Sequence, residues 1–325
     1  MPAALSVLRT VSALLMVAGA CAALPASAEW PTRPVTIIVP FSPGGNTDLM
    51  ARLIAEPLTR SLGQPVVVQN KPGAGGLIAA DFVAKAPNDG YTLFMGTTGQ
   101  ISISRYTNKL KFDPIADFVP ITTVGVNPFV ITVSSKLPVK TLTQFIDYGK
   151  KHPNTLNVGN AGVGGITHLS GVMFIHRAGL DVTDVSYKGA ALALGDVIGG
   201  QIDMYSGNLS EVLPYAKDAR VQLLAVSSLK RVPQLPDVPT IAETLPGHEV
   251  LAWNGLLGPA GMPPEAVDKI ATIVTQALAT TAFAQRFHEA GITPLAETKA
   301  VFAARIQKEM VAWKPLIEQA GINPE

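Results

Sequence analysis

Two glycine-rich stretches hold the residues of this chain whose types and spacing could do chemistry. The first is Pro40-Phe41-Ser42-Pro43-Gly44-Gly45-Asn46-Thr47-Asp48. The second is Gly159-Asn160-Ala161-Gly162-Val163-Gly164-Gly165, running on into Ile166-Thr167-His168. Glycines at such places leave backbone N–H groups unshielded, and a helix starting behind them adds its dipole. The chemistry this suits is reception of an anion such as a carboxylate. In the first stretch the donors are the N–H groups of Gly44, Gly45 and Asn46, within a loop that begins with Phe41, Ser42 and Pro43. Asn46, Thr47 or Asp48 would cap the helix. The plainer reading is a tight strand-to-helix turn that needs glycine for positive φ. Asp48 reads as a cap or brace, because an acid there would repel a carboxylate.

In the second stretch, Ala161, Gly162, Val163 and Gly164 offer backbone, and the Thr167 hydroxyl could donate to an anion. His168 is either a donor or a half-buried packing residue. Thr97 and Thr98 follow a strand and could add hydroxyls. Tyr187 and Lys188 end another strand, where Lys188 is either a cleft cation or a solvated surface lysine. Asp203 could meet an amine or hydroxyl or cap a turn, and Asn208 flanks the same strand. Catalytic constellations are lacking. There is no Gly-x-Ser-x-Gly elbow and no His-Glu-x-x-His. The histidines at 152, 168, 176, 248 and 288 are scattered, and His168 and His176 are eight apart, too far for one ion. The glycine order fits neither a dinucleotide fingerprint nor a Gly-Lys-Ser/Thr phosphate loop. The expectation is binding without catalysis, cofactor or metal.

The elements that must position these residues alternate. Strands are expected at Val35–Val39, Val66–Gln69, Tyr91–Met95, Leu156–Val158, Val185–Tyr187, Ile202–Tyr205 and Leu223–Ser227. Helices are expected at Asp48–Arg60, Ile78–Ala86, Leu142–Lys151, Ile166–Ala178 and Ala190–Ile198. Val119–Val124 and Phe129–Val133 read as two extended pieces. This rhythm calls for parallel sheets with helices on both faces, and ligands then bind at the carboxyl ends of the strands. Arg231–Pro246 reads as a proline-rich surface connector. Beyond Leu257 the chain is helical, and Phe302, Ile306, Met310, Trp313 and Ile317 mark one apolar face expected to pack on the first sheet.

Composition bounds the function classes. Arg9 followed by the apolar run Val11–Ala20 and the small-residue site Ala26-Ser27-Ala28 reads as a secretory leader cleaved after Ala28. The rival reading makes Cys21 a lipid-anchored terminus. Taking 28 residues from 325 leaves 297, and losing Arg9 leaves 24 basic against 24 acidic residues. A neutral chain without a basic run has no footprint for nucleic acid. Cys21 is the only cysteine, so the remainder has no disulfide, no thiolate chemistry and no Cys-ligated metal. No later segment reaches the roughly 20 apolar residues of a membrane span.

Taken in order, further segments complete a pattern: Val68-Gln69-Asn70-Lys71-Pro72-Gly73-Ala74-Gly75-Gly76, Ala86-Pro87-Asn88-Asp89-Gly90-Tyr91-Thr92-Leu93, Phe112-Asp113-Pro114 with Asp117-Phe118, Val185-Ser186-Tyr187-Lys188-Gly189, Gly199-Gly200-Gln201-Ile202-Asp203 and Leu235-Pro236-Asp237-Val238-Pro239-Thr240. With the two glycine-rich loops they resemble the Bug-type receptors, the periplasmic solute-binding proteins of tripartite tricarboxylate transporters. The resemblance implies an α/β, two-lobed periplasmic-binding-protein fold of type II, with two helix-flanked sheets, an interlobe cleft and a hinge. One lobe would be 29–127 plus 255–325 and the other 128–254, with crossings near 125–130 and 250–256. It implies a monomer that holds a small organic acid (a dicarboxylate, an aromatic carboxylate or an acidic amino acid) on Phe41–Asn46 and Ala161–His168, and hands it to membrane permease subunits. Where relatives carry a His after the Thr pair and an Asn-Pro further on, this chain has Gly99-Gln100-Ile101 and Tyr106-Thr107. The ligand's distal group is therefore expected to differ from the family's common cases. A sensor feeding a two-component kinase and a secreted carboxylate-processing enzyme are the alternative readings.

Overall fold

The computed structural model describes residues 29–187 and 189–319. The expected leader, with Cys21, and Lys188 lie outside the described residues. Residues 29–32 belong to a separate unit from the body that begins at Arg33, and the fold below is that of the body.

The β-branched run Val35–Val39 forms β1, and α1 (Asn46–Leu62) follows its loop. Gly63, in the left-handed region at φ 67°, stops α1, a conformation that glycine adopts without a Cβ penalty. Then come β2 (Val66–Asn70), α2 (Leu77–Ala84), β3 (Thr92–Thr97), a π-helical turn (Gly99–Ile103), α3 (Ser104–Thr107) and β4 (Phe118–Ser134). The second half begins with α4 (Leu142–Lys151), capped by the Thr141 hydroxyl, which accepts the Gln144 N–H. It continues with β5 (Asn157–Asn160), α5 (Ile166–Ala178), β6 (Thr183–Ser186), α6 (Ala190–Gly199), β7 (Met204–Asn208), α7 (Leu209–Val212), β8 (Val221–Val226) and α8 (Ile241–Thr244). The chain closes with β9 (Leu251–Pro259), α9 (Pro264–Leu278), α10 (Thr281–Glu289), β10 (Thr293–Pro294) and α11 (Lys299–Gln319).

The strands make two sheets with one design. In the first the order is β2-β1-β3-β9-β4, with β1 parallel to β2 and β3 and with β9 antiparallel to both its neighbours. In the second the order is β6-β5-β7-β4-β8, with β5 parallel to β6 and β7 and with β4 antiparallel to both its neighbours. Each sheet thus has three parallel strands followed by an antiparallel strand and one more, and in the first the short β10 adds antiparallel to β4 at Gly125–Val126. β4 belongs to both: Phe118–Pro128 pairs with β9, and Phe129–Ser134 with β7 and β8. The two extended pieces expected around 119–133 are therefore one continuous strand. Gly125 and Pro128 interrupt the sequence pattern, and near Gly125 the register does slip, yet the ladder carries on through Pro128↔Leu251.

Ser227 fastens the crossover. Its hydroxyl accepts the Phe129 N–H and donates to the Val250 carbonyl, and its own N–H donates to Phe129 O. The expected strand at 202–205 lies instead at Met204–Asn208. Ile202 is buried against α6 rather than laddered, and Ser206-Gly207-Asn208 pairs with β4 despite its weak strand propensity.

Ile38, Phe94, Phe118 and Trp253 form the first core with Phe302, Ile306 and Met310 of α11. Full burial of such a side chain contributes about 1.5–3 kcal/mol. The second sheet has a core on each face, one around Phe145, Phe174 and Met204 and one around Val197, Tyr205 and Val226. The C-terminal helix does not stay on the first sheet as expected. Trp313 and Ile317 pack with Phe129 and Leu169, so α11 reaches elements of both sheets. Among the described residues no helix is long and apolar enough to cross a membrane.

Candidate functional site

The two glycine-rich loops fold alike. Gly44 (φ 86°) and Gly164 (φ 71°) take the left-handed backbone that each turn needs. Gly45 (φ −80°, ψ 172°) and Gly165 (φ −75°, ψ 165°) are the N-cap residues of α1 and α5. The helical ladders begin with Leu49 N–H to Gly45 O and Leu169 N–H to Gly165 O, both 3.0 Å. No side chain caps either helix, so the first N–H groups of each point out of its end without an intrahelical acceptor. The expectation that Asn46, Thr47 or Asp48 caps α1 is corrected on this point.

Asp48 braces the first loop instead. Its carboxylate accepts the Gly44 N–H (2.9 Å), Asn70 Nδ2 (2.9 Å) and two bonds from Arg52 (2.9 Å each). Asn70 also donates to Phe41 O at 2.9 Å. Burial pushes the Asp48 carboxyl up, but the Arg52, Gly44 and Asn70 hydrogen bonds and the guanidinium charge outweigh it, so it ionises below the ordinary range. The Gly44 N–H, expected as a ligand donor, is therefore already taken, and Gly45 and Asn46 are left at the helix mouth. Phe41, Ser42 and Pro43 are exposed around it.

His168 braces the second loop in the same way. Its Nδ1 accepts the Gly164 N–H at 3.1 Å, and its Nε2 lies 3.2 Å from Asp184 on β6. Because Nδ1 accepts, the ring proton sits on Nε2 and faces the carboxylate. Burial raises the Asp184 carboxyl, and the His168 and Asn160 hydrogen bonds bring it below its ordinary value. Asn160 also accepts the Gly162 N–H at 2.8 Å. The Thr167 hydroxyl accepts the Ala161 N–H at 3.4 Å, and Val163 stands exposed at the loop tip.

The loops 40–48 and 161–168, with Thr97, Thr98, Tyr187 and Asn208, all lie at or beyond the carboxyl ends of parallel strands. Their side chains are not equally free. Thr97 donates to Gln100 Oε1 at 2.7 Å, and Gln100 Nε2 donates to Gly75 O at 2.7 Å. That glutamine is thus a strut between the turn after β3 and the 73–76 loop. Thr98 is fully buried and accepts the Trp253 N–H at 3.0 Å. The Tyr187 hydroxyl donates to Asp196 at 2.7 Å, and burial with that carboxylate pushes its pKa up to about 12. Asn208 ends β7, with its N–H on Glu211 at 3.1 Å.

Asp203 is misplaced by the sequence reading. It precedes β7 and accepts the N–H of Asn157, the first residue of β5, at 2.8 Å. In a parallel pair that is the amino end, away from the loops. Residues missed from sequence do gather at the site: Arg52, Asn70, Asn254, Asp184 and Thr107. A Cβ built on Gly164 would approach Thr107 to 3.2 Å, so the second loop lies against α3. Asn46 donates to Asn254 at 3.2 Å, and Asn254 donates to Thr47 at 2.8 Å. Among the described residues no cluster of three His, Cys, Asp or Glu could hold a metal ion.

Two like sheets joined by a shared strand, with a matched helix mouth on each, define a two-lobed solute-binding receptor. The chain belongs to the tripartite tricarboxylate transporter receptor family, whose sequence model matches residues 50–322. A UPF0065 protein from the tcbD-tcbE intergenic region of a Pseudomonas species is 34% identical over 296 residues, covering 90% of this chain and 88% of the relative. In solved structures, R. palustris Rpa4515 with adipate matches at TM-score 0.88 and 35% identity, covering 91% of this chain and all of that one. MatC from Rhodopseudomonas palustris with bound malate matches at TM-score 0.82 and 33% identity, covering 89% and 100%.

Proposed function

We propose that this protein captures a small carboxylate-bearing solute between its lobes and delivers it to a tripartite tricarboxylate-type permease. The observation that carries the reading is the pair of uncapped helix mouths at Gly45–Asn46 and Ile166–Thr167, the Gly165 N–H being taken by Gly162 O at 3.2 Å. The adipate and malate held by the two relatives support the ligand class. The lobes are taken as 29–127 plus 255–325 and 128–254, in keeping with the change of pairing partner between Pro128 and Phe129. The leader-like start favours export and a periplasmic place of work.

The proposed site comprises Phe41, Ser42, Pro43, Gly45, Asn46, Val163 and Thr167, with Thr97 and Asn208 at its margin, while Ala161 and Gly162, whose N–H groups are held by Thr167 and Asn160, help shape the second loop. Gly44, Asp48, Gly164 and His168 shape the loops. Asp203 is left out because it lies at the wrong end of its sheet. A micromolar receptor needs about −8 kcal/mol. Two helix mouths contribute at most ~2 kcal/mol each, so several charge-assisted hydrogen bonds of ~1.5–3 kcal/mol must join them. One loop alone does not reach that total, which makes lobe closure part of the mechanism.

A thermal-shift panel of aliphatic, aromatic and amino-acid carboxylates tests the reading. At 100 times its dissociation constant a true ligand adds about 2.7 kcal/mol of stability, a shift of a few degrees. Stabilisation by sugars or cations alone would overturn the proposal.

A further inference from the structure

One hydroxyl joins the two lobes beside the proposed cradle. Ser210, directly after β7 in α7, donates to the Asn46 side-chain carbonyl at 3.0 Å and accepts from Asn127 Nδ2 at 3.3 Å. The same Asn127 amide donates to Gly291 O at 3.1 Å. Asn46 passes the chain on to Asn254, and Asn254 to Thr47. Asn46, Asn127 and Asn254 are all buried. The surroundings leave little slack: Gly291 has φ 73°, and a Cβ there would sit 3.1 Å from the Ser210 nitrogen and the Leu209 Cγ.

Topology puts these partners on different bodies. Ser210 follows a strand of the second sheet. Asn46 opens the helix behind the first strand of the first sheet. Asn127 and Asn254 stand on β4 and β9, the strands that run side by side at the crossover. Asn46 therefore has two roles at once. Its N–H is among the uncapped donors of α1, and its side chain receives the hydroxyl from the other lobe. Anything that fixes the backbone of Asn46 also fixes the acceptor that Ser210 must find.

We infer that Ser210 is a positioning residue for solute capture, a latch that links occupation of the first loop to the angle between the lobes. The functional half of this inference rests on the cradle assigned under Proposed function. The latch itself is a statement about lobe geometry. A part-buried neutral hydrogen bond of this kind shifts a two-state population by about 2- to 10-fold.

The 297 residues after Ala28 contain no cysteine, so spin labels can be placed at Lys85→Cys and Lys217→Cys, both exposed, one on each lobe. With no solute added, Ser210→Ala is expected to move the interlobe distance distribution toward longer separations, raising the open population about 2- to 10-fold. Ser206→Ala is the control. It removes a buried hydroxyl paired with Ser170 at 2.9 Å, wholly inside the second lobe, and should leave the distribution unchanged. An unchanged distribution in Ser210→Ala, or an equal change in Ser206→Ala, overturns the latch. Failure of the carboxylate panel would sink the cradle reading and leave this comparison decisive on its own.

Discussion

Asp48 and His168 stand at the same place in two copies of one loop, 120 residues apart in sequence. Each accepts the N–H of the left-handed glycine four residues before it, and each is held by a side chain from the neighbouring parallel strand, Asn70 or Asp184. One brace is an ionised carboxylate and the other an imidazole that accepts through Nδ1. The shape of the loops is therefore repeated while the side chain that braces each is not. The first loop gains a carboxylate matched by Arg52, and the second gains a ring set against the Asp184 carboxylate.

This pair predicts unequal costs. Asp48→Ala leaves the Gly44 N–H without its acceptor and Arg52 with only Asn70 Oδ1 at 3.3 Å, and is expected to lower stability by about 2–3 kcal/mol. His168→Ala should lower it by about 1–2 kcal/mol. Chemical denaturation of the two variants measures both. Equal and negligible losses would mean that the loops hold their shape without these braces.

Gly44→Ala isolates backbone strain. A Cβ at Gly44 meets nothing within 4 Å, so only its φ of 86° opposes the change. The left-handed backbone costs a non-glycine residue about 1–2 kcal/mol. Gly164→Ala should cost more, since its Cβ also crowds Thr107. A melting series that ranks Gly44→Ala as the worse of the two would contradict the geometry.

His248 predicts acid sensitivity. Both its ring nitrogens are buried without a hydrogen-bond partner, and burial, aided by the Arg177 charge, lowers its pKa to about 4 from 6.5. The folded protein therefore binds fewer protons than the unfolded chain between those values. Stability is fully present above pH 6.5 and falls as pH drops toward 4, by up to about 3 kcal/mol. His248→Leu should be neutral or stabilising at pH 7 and should flatten that limb of the stability curve. An unaltered curve would assign the acid loss to other groups.

Glu309 predicts the opposite sign. Burial raises its carboxyl, against the bonds it accepts from Trp253 Nε1 (2.6 Å) and Ser102 (3.0 Å). A carboxyl raised on folding stabilises at low pH and loses that contribution as pH rises through its folded value. Trp253 emission should titrate with it, above the ordinary glutamate range, and Glu309→Gln should abolish the transition. A transition that persists in the variant would place its origin elsewhere.

Much of the fold was legible because hydrophobic period and turn chemistry are local signals. Val35–Val39 and the boundaries of α4 and α5 follow directly from them. The continuity of β4 was not legible, because Gly125 and Pro128 read as a break and only β9, more than 120 residues later, carries the strand through. The two loops were visible in their glycines. Their braces were half visible: Asp48 read as a brace, but nothing local shows that it takes the Gly44 N–H, since Arg52 and Asn70 complete it from a helix turn and another strand. Asp203 was misjudged because sequence gives a strand's existence before its direction and exact start. Ser210 had no sequence signal at all, as its partners arrive from three distant segments.

Amide hydrogen exchange tests the central claim, that both loops close on one carboxylate, most directly. It should be measured with and without the carboxylate that stabilises the protein most in the panel. The account predicts added protection at 44–49 and at 162–168 together, lost at both when Gly44→Val is used. Protection confined to one loop, or appearing away from both, would contradict it.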